Sequence, residues 1–262
     1  MYCSALFSHY AEEKDLLDMA RKLKRKKKPV GPIVWLARKL RGWLRVILKF
    51  SLGLIFICIL VVAVFRIINP PITYYIASEW IRIGEMKRDW TPIEDFQPYV
   101  ARAIVAAEDA NFCQHSGFDY AAIKLALNGK GRLRGASTIS QQTAKNVFLW
   151  QGRTWVRKGL EVGFTVLIEL LWPKQRIVEI YLNVAEFDEG VFGVAAAGRH
   201  YFGVEPDKIT RMQAARLAAV LPNPKNRSAS RPKKGILQRA DQILSGAETI
   251  AADGRAECFS RG

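Results

Sequence analysis

An uncharged apolar run constrains this chain more than any other feature of its sequence. Residues Phe50–Phe65 are sixteen positions without a charged side chain. With the apolar residues on either side, from Val46 to Ile68, the run reaches the ~20 residues that a helix needs to cross a bilayer. A core helix of a soluble domain is the alternative, but this run has no polar face to turn toward water. The sequence therefore predicts one transmembrane helix at residues 46–68.

Basic residues precede the apolar run and indicate its orientation. Between Arg21 and Lys49 there are twelve Lys or Arg and no Asp or Glu. Because the cytoplasmic flanks of membrane spans are enriched in Lys and Arg, we expect a basic cytoplasmic tail at residues 1–45. The chain after about residue 69 should then lie across the membrane. The length of the basic region and the lack of a small-residue cleavage site after Phe65 favour a retained anchor over a cleaved signal peptide.

The net charge of +16 bears on the partners of the chain. Residues 1–49 carry thirteen Lys or Arg against four Asp or Glu, so this flank holds +9 of that charge. A basic segment beside a membrane span typically meets anionic lipid. We therefore expect membrane lipids, and no nucleic acid, as its partners. Met19 opens the basic segment and is an alternative start of translation.

Cysteine and histidine residues are too dispersed to indicate a zinc site. The four cysteines are Cys3, Cys58, Cys113 and Cys258. With the predicted membrane orientation, only Cys113 and Cys258 share the outer compartment. The spacing leaves open whether these two form a disulfide.

The rest of the chain is predicted to be mainly α. After a linker at residues 69–95, which opens with Asn69–Pro71, apolar residues recur at helical spacing. The predicted helices are 98–110, 121–128, 139–149, 155–171, 174–187, 191–201 and 210–221. No alternating pattern longer than a few residues indicates a strand. A folded domain at residues 96–232 and a C-terminal helix and tail at 233–262 follow from this pattern.

Glu108 opens the first of three polar clusters, Glu108–Asp119. It ends a helix with an apolar face, next to Asp109. A partly desolvated carboxylate at a helix C-terminus, beside another carboxylate, should have a raised pKa, which suits a general base. Taken alone, a Glu-Asp pair that ends a helix is more often a capping or surface feature.

The second cluster, Gly135–Asn146, places polar side chains on a predicted helix. Ser137 and Thr138 can cap that helix, and its N-terminal amides favour an anion such as a diphosphate. Gln142 and Lys145 lie on its polar stripes. A capped surface helix with these side chains in solvent is the alternative.

The third cluster combines cations with one carboxylate. Arg153, Arg157 and Lys158 can neutralise a departing diphosphate, and arginine can bind it through two hydrogen bonds. Glu161 is followed by an apolar segment, so its charge should have a partner. A salt bridge between Glu161 and Arg157 is one such pairing, and it is compatible with a catalytic role.

Taken in this order, the three clusters resemble the glycosyltransferase domain of peptidoglycan polymerases. The resemblance is closest to the monofunctional biosynthetic peptidoglycan transglycosylases of glycosyltransferase family 51, and it covers about residues 75–232. It implies a lysozyme-like domain with a small membrane-facing jaw subdomain. The jaw candidate is Tyr120–Arg134, where basic and apolar residues interleave as at a bilayer interface. An amphipathic helix followed by a flexible loop is the alternative.

The resemblance also implies an activity. The growing glycan on undecaprenyl diphosphate would be the donor, and the GlcNAc 4-hydroxyl of lipid II would be the acceptor, with inversion. Glu108 would be the base, supported by Asp109, and Glu161 the second catalytic carboxylate. The donor or diphosphate cleft would comprise Ser137, Gln142, Lys145, Arg153, Arg157 and Lys158. A divalent cation, Mg2+ or Mn2+, would bind near Glu161.

Location and partners follow from the same resemblance. The chain would be a single-pass protein of the bacterial inner membrane, with its catalytic domain in the periplasm and the division or elongation machinery as a partner class. Only about thirty residues follow Pro232, so no transpeptidase domain is expected. A lytic hydrolase and an inactive cell-wall scaffold are the alternatives. The diphosphate-suited cations disfavour the hydrolase, and the presence of every matched motif residue disfavours the scaffold.

Overall fold

The computed structural model describes residues 14–22, 31–128 and 137–260. It divides into two compact units, Met1–Ile57 and Cys58–Gly262. Within the first unit, residues 14–22 are helical.

Helix α1, Pro32–Phe65, contains the apolar run. Within its segment Val34–Phe65, an 18-residue window has a mean hydropathy of 2.8, and α1 is the single helix in the described ranges that is long and apolar enough to cross a membrane. The helix begins well before the predicted residue 46, because proline suits the first helical position and the Lys and Arg that follow are good helix formers. It ends at Phe65, three residues before the predicted end.

The last turn of α1 belongs to the second unit and packs into it. Val62 is fully buried. Trp172 Nε1 donates a hydrogen bond of 2.7 Å to the Val62 carbonyl. The Arg176 guanidinium donates to the carbonyls of Phe65 and Ile68. These bonds satisfy carbonyl groups that a helix end would otherwise leave without partners.

Helices dominate the second unit, as predicted. Their bounds are α2 Tyr74–Ile83, α3 Pro98–Glu108, α4 Tyr120–Asn128, α5 Ile139–Phe148, α6 Trp155–Leu171, α7 Lys174–Val184, α8 Val194–Phe202, α9 Arg211–Val220 and α10 Lys234–Ala252. Each of the seven predicted helices corresponds to one of these within three residues at either end. Helix α2 and the strand that follows it lie in the segment that was predicted as a linker.

A small three-stranded sheet accounts for the shifted helix ends. Strands β1 Lys87–Arg88, β2 Glu186–Asp188 and β3 Val191–Phe192 pair in the order β1-β3-β2. Strand β3 is parallel to β1 and antiparallel to β2. Gly193 follows β3 with φ of 86°, a backbone conformation that favours glycine, so helix α8 begins only at Val194.

Helix α10 belongs to the same core as the rest of the second unit, although residues after 232 were predicted as a separate segment. It packs against α3 and α9. Ala240, Ile243, Ala247 and Ile250 are its buried side chains. This packing brings the C-terminal segment beside the end of α3, where Glu108 lies.

Helix α4 is the described part of the jaw candidate. Tyr120 and Leu125 are largely exposed apolar side chains on it. The basic residues Lys130, Arg132 and Arg134 of this candidate lie outside the described residues.

Candidate active site

Glu108 is the last residue of α3, at the edge of a small cavity. The cavity has a volume of about 240 Å³, and Asp119, Ser137 and Thr138 also line it. Gln142 Nε2 donates a hydrogen bond of 2.8 Å to Glu108 Oε2. This contact joins the first and second polar clusters through two residues that are 34 positions apart in the sequence.

The surroundings of Glu108 act on its pKa in opposite directions. Burial raises the pKa of Glu108, while the hydrogen bond from Gln142 and the charge of Arg239 lower it. The charge of Asp109 raises the same pKa, and that of Lys145 lowers it. The net effect is a raised pKa, as the sequence predicted for a general base.

Asp109 lines the same cavity as Glu108, and it also holds two segments together. Its Oδ1 lies 2.9 Å from His115 Nε2. Its Oδ2 accepts a hydrogen bond of 3.0 Å from the backbone N–H of Ile139, the first residue of α5. Asp109 is buried. It therefore fixes the loop after Glu108 to the start of α5.

Helix α5 has a capping box at its N-terminus, which separates the roles of its two adjacent glutamines. Thr138 accepts a hydrogen bond from the Gln141 backbone, and the Gln141 side chain accepts one from the Thr138 backbone. Gln142 is free to reach the cleft, and its Oε1 accepts a hydrogen bond of 3.0 Å from the Tyr181 hydroxyl. Because Tyr181 engages the amide oxygen, the amide nitrogen faces Glu108. Ser137 is exposed and lies on the wall of the cavity.

Lys145 lies one turn further along α5, within electrostatic range of both Glu108 and Glu161. Burial lowers the pKa of Lys145, and the charge of Glu161 raises it. Among the described residues, no hydrogen bond or ion pair engages its ammonium group. A partly buried ammonium without a counterion is suited to binding an anion.

Glu161 lies on α6 and is neutralised by two cations of its own helix. Arg157 Nη1 donates to Glu161 Oε2 at 2.5 Å, and Lys158 Nζ pairs with Oε1. The Arg157 Nε also donates to the Gly152 carbonyl at 2.7 Å. The predicted salt bridge between Arg157 and Glu161 is therefore present. Arg153 is exposed, and within the described ranges it makes no hydrogen bond or ion pair with this group.

The donor set around Glu161 does not fit a divalent cation held by the protein. The described ranges contain no group of three or more His, Cys, Asp or Glu that could hold a metal. Both oxygens of Glu161 are engaged by Arg157 and Lys158. Hard cations such as Mg2+ require oxygen ligands that are free to coordinate.

Sequence reasoning assigned no active-site role to Tyr181 or Arg239. Arg239 lies on α10 and donates to the carbonyl of Ala107, the residue before Glu108. Neither residue belongs to the three polar clusters, and their proximity to the site depends on packing between distant helices.

The geometry defines a class of enzyme. A partly buried carboxylate lies beside a group of cations with excess positive charge, in a mainly α-helical unit that also holds the end of a membrane-length helix. Such an arrangement suits an enzyme that transfers a glycosyl group.

Comparison with known proteins agrees with this class. The chain belongs to the transglycosylase family, whose model matches residues 77–248. The biosynthetic peptidoglycan transglycosylase of Jannaschia sp. (strain CCS1) is 48% identical over 242 residues, which cover 92% of this chain and 100% of the relative. The protein of the same name from Chromohalobacter salexigens is 47% identical, over 78% of this chain and 92% of the relative. That of Caulobacter vibrioides is 44% identical, over 77% of this chain and 90% of the relative.

Proposed function

We propose that this peptidoglycan transglycosylase polymerises lipid II into glycan strands. The growing strand on undecaprenyl diphosphate is the donor, and the GlcNAc 4-hydroxyl of lipid II is the acceptor. The relatives' names support the peptidoglycan substrate. The observation that carries the proposal is the arrangement of Glu108, held by Gln142, beside Lys145, whose ammonium has no counterion among the described residues.

Glu108 is the general base of the proposed reaction. Its Oε2 accepts the hydrogen bond from Gln142, and no described residue bonds to Oε1. Oε1 takes the proton from the GlcNAc 4-hydroxyl as that oxygen attacks C1 of the donor sugar. The bond between C1 and the diphosphate oxygen breaks, and the electron pair leaves with the diphosphate. Attack from the face opposite to the leaving group inverts the configuration at C1.

The leaving diphosphate needs positive charge, which the second and third clusters supply. Arg157 and Lys158 present two cations against the single carboxylate of Glu161, so this group has excess positive charge. Lys145 adds a cation that no described residue neutralises. Cations placed where negative charge develops lower the barrier of such a reaction.

A requirement for Mg2+ or Mn2+ is a separate proposal. Since both oxygens of Glu161 are engaged, any such ion would arrive with the diphosphate of the substrate. Removal of metal with EDTA, followed by addition of Mg2+ or Mn2+, measures whether polymerisation needs it.

The proposed location is the inner membrane, with the second unit on its outer face. Helix α1 is long and apolar enough to anchor the chain, and the basic flank favours a cytoplasmic N-terminus. The second unit contains a disulfide between Cys113 and Cys258. Disulfides persist in oxidising compartments such as the periplasm, which supports this orientation. Protease added to spheroplasts should digest the second unit and spare the N-terminal tail.

Polymerisation of labelled lipid II by the detergent-solubilised full chain tests the proposed function. The wild type should produce long glycan and release undecaprenyl diphosphate, while Glu108→Gln should produce neither. Glu248→Gln is a matched control, because Glu248 is an exposed residue paired with Arg211. A folded wild type that makes no glycan would overturn the proposal. Shortening of preformed glycan would identify a hydrolase instead, and complementation by Glu108→Gln in cells would identify a scaffold.

A further inference from the structure

We infer that Arg239, on the C-terminal helix α10, is a positioning residue for the base Glu108. In this inference Arg239 fixes the end of α3 and supplies a permanent positive charge beside the carboxylate. The inference deepens the proposed function, since it rests on Glu108 being the base.

Arg239 contacts the end of α3 directly. Arg239 Nη2 donates a hydrogen bond of 3.1 Å to the carbonyl of Ala107. The last carbonyls of a helix have no partner within the helix, and a cation there is favourable because the helix C-terminus carries partial negative charge. Arg239 thus satisfies the carbonyl immediately before Glu108.

Helix α10 and the segment after it hold the loop that follows Glu108. Arg255 Nη1 donates to Asn111 Oδ1 at 3.3 Å. Cys258 forms a disulfide with Cys113, with the two Cα atoms 5.6 Å apart. Together with the buried face of α10 against α3, these contacts fix the position of Arg239 relative to Glu108.

The charge of Arg239 is not neutralised by any carboxylate in the part of the chain that the structure describes. Arg239 is exposed, and no described carboxylate lies within ion-pair distance of it. A guanidinium has five N–H groups, and the Ala107 carbonyl uses one of them. Its charge acts on Glu108 and favours the ionised form.

The groups that face Glu108 come from four helices. Gln142 and Lys145 lie on α5, Tyr181 lies on α7, Asp109 follows α3, and Arg239 lies on α10. Lys145 is the other cation near Glu108, but in the proposed reaction it neutralises the diphosphate of the donor. Arg239 is therefore the cation that still acts on Glu108 when the donor is bound. Without it, the pKa of Glu108, which burial already raises, would rise further, and a larger fraction of the carboxyl would be protonated and unable to accept a proton.

The test compares the pH profile of lipid II polymerisation for the wild type, Arg239→Gln, Arg239→Lys and Arg211→Gln. Arg239→Gln should move the acidic limb of kcat upward by about one pH unit, because it removes one nearby charge. Arg239→Lys keeps a cation and should restore most of the profile. Arg211 is an exposed arginine of α9 paired with Glu248, so Arg211→Gln should leave the profile unchanged.

Titration of the Glu108 carboxyl by 13C NMR, assigned with Glu108→Gln, gives a readout that does not depend on activity. An upward shift in Arg239→Gln supports the inference even if lipid II is not the substrate. An unchanged titration and an unchanged acidic limb, in a variant with wild-type thermal stability, would overturn it. A rise in KM alone would also overturn it, since that outcome indicates a substrate contact.

Discussion

The side-chain amide of Gln142 donates a hydrogen bond of 2.8 Å to Oε2 of Glu108. The orientation of that amide is set by the Tyr181 hydroxyl, which donates to the amide oxygen. Tyr181, Gln142 and Glu108, on three different helices, are therefore joined by a chain of two hydrogen bonds. This chain ends at Oε2 of the proposed base, and in the proposed reaction Oε1 serves the substrate.

Replacing Gln142 by alanine should slow polymerisation and shift the acidic limb of its pH profile to higher pH. The hydrogen bond stabilises the ionised carboxylate, and a hydrogen bond to a charged group contributes about 1.5–3 kcal/mol. Loss of that contribution corresponds to about a ten- to hundredfold decrease in kcat/KM. The pH dependence of polymerisation measures both effects. Tyr181→Phe leaves the hydrogen bond between Gln142 and Glu108 in place, so it should decrease kcat/KM much less. Equal decreases in kcat/KM for the two variants would contradict the direct role of Gln142.

Replacing Glu108 by glutamine should stabilise the protein at neutral pH while it abolishes polymerisation. Burial raises the pKa of Glu108, so the folded chain binds this proton more tightly than the unfolded chain does. Stability from this group is present below the unfolded pKa and is lost as the pH rises through the folded pKa.

Thermal unfolding of Glu108→Gln at two pH values tests this dependence of stability on pH. An increase of about 1 kcal/mol in the free energy of unfolding would raise Tm by about 2–4 °C for a domain of this size. The gain should be present at about pH 8 and absent at about pH 4, where the carboxyl is protonated in both states. An equal gain at both pH values would show that the ionised carboxylate is not its cause.

Lys145→Ala should decrease kcat for polymerisation by about 100- to 1,000-fold, the cost of removing one group that stabilises developing charge. Burial lowers the pKa of Lys145, so the alkaline limb of activity should lie below that of an ordinary lysine. Lys145→Arg should move this limb upward, because arginine stays protonated. Lys208, an exposed lysine paired with Asp207, provides the control Lys208→Ala. If the alkaline limb of the pH profile is the same in Lys145→Arg as in the wild type, Lys145 is not the cation that stabilises the developing charge.

Loss of the Cys113–Cys258 disulfide should destabilise the second unit. The bond joins residues separated by 145 positions. A disulfide that closes a long loop typically contributes about 2–5 kcal/mol, mainly by restricting the unfolded chain. Urea unfolding of Cys113→Ser with Cys258→Ser measures this contribution. Cys58→Ser is the control because Cys58 is a free thiol, and equal midpoints for the two variants would contradict the expectation.

Much of the fold could be predicted from the sequence, because its helices have regular apolar spacing. Helix α6 has the predicted bounds Trp155–Leu171, and Thr138 caps α5 as its position suggested. The strands Glu186–Asp188 and Val191–Phe192 were absorbed into predicted helices. They are two or three residues long, which is too short for an alternating pattern to appear.

The residues of the site were predicted better than the contacts between them. Glu108 and Gln142 were recognised through their motifs, and the structure brings them together. The contribution of Arg239 could not be predicted, since it depends on α10 packing on α3 across more than a hundred residues. The contact of Trp172 with the end of α1 has the same origin: neither residue stands in a motif, and only the folded chain makes them neighbours.

The covalent bond between Cys113 and Cys258 also imposes an order of events on biogenesis. Cys258 follows Cys113 by 145 residues, so the bond closes only after the intervening chain has been synthesised. With the location proposed above, both cysteines meet an oxidant only after export, and the loop beside Glu108 receives this restraint there. In that case, maturation of the enzyme is coupled to the compartment in which the proposed substrate is displayed.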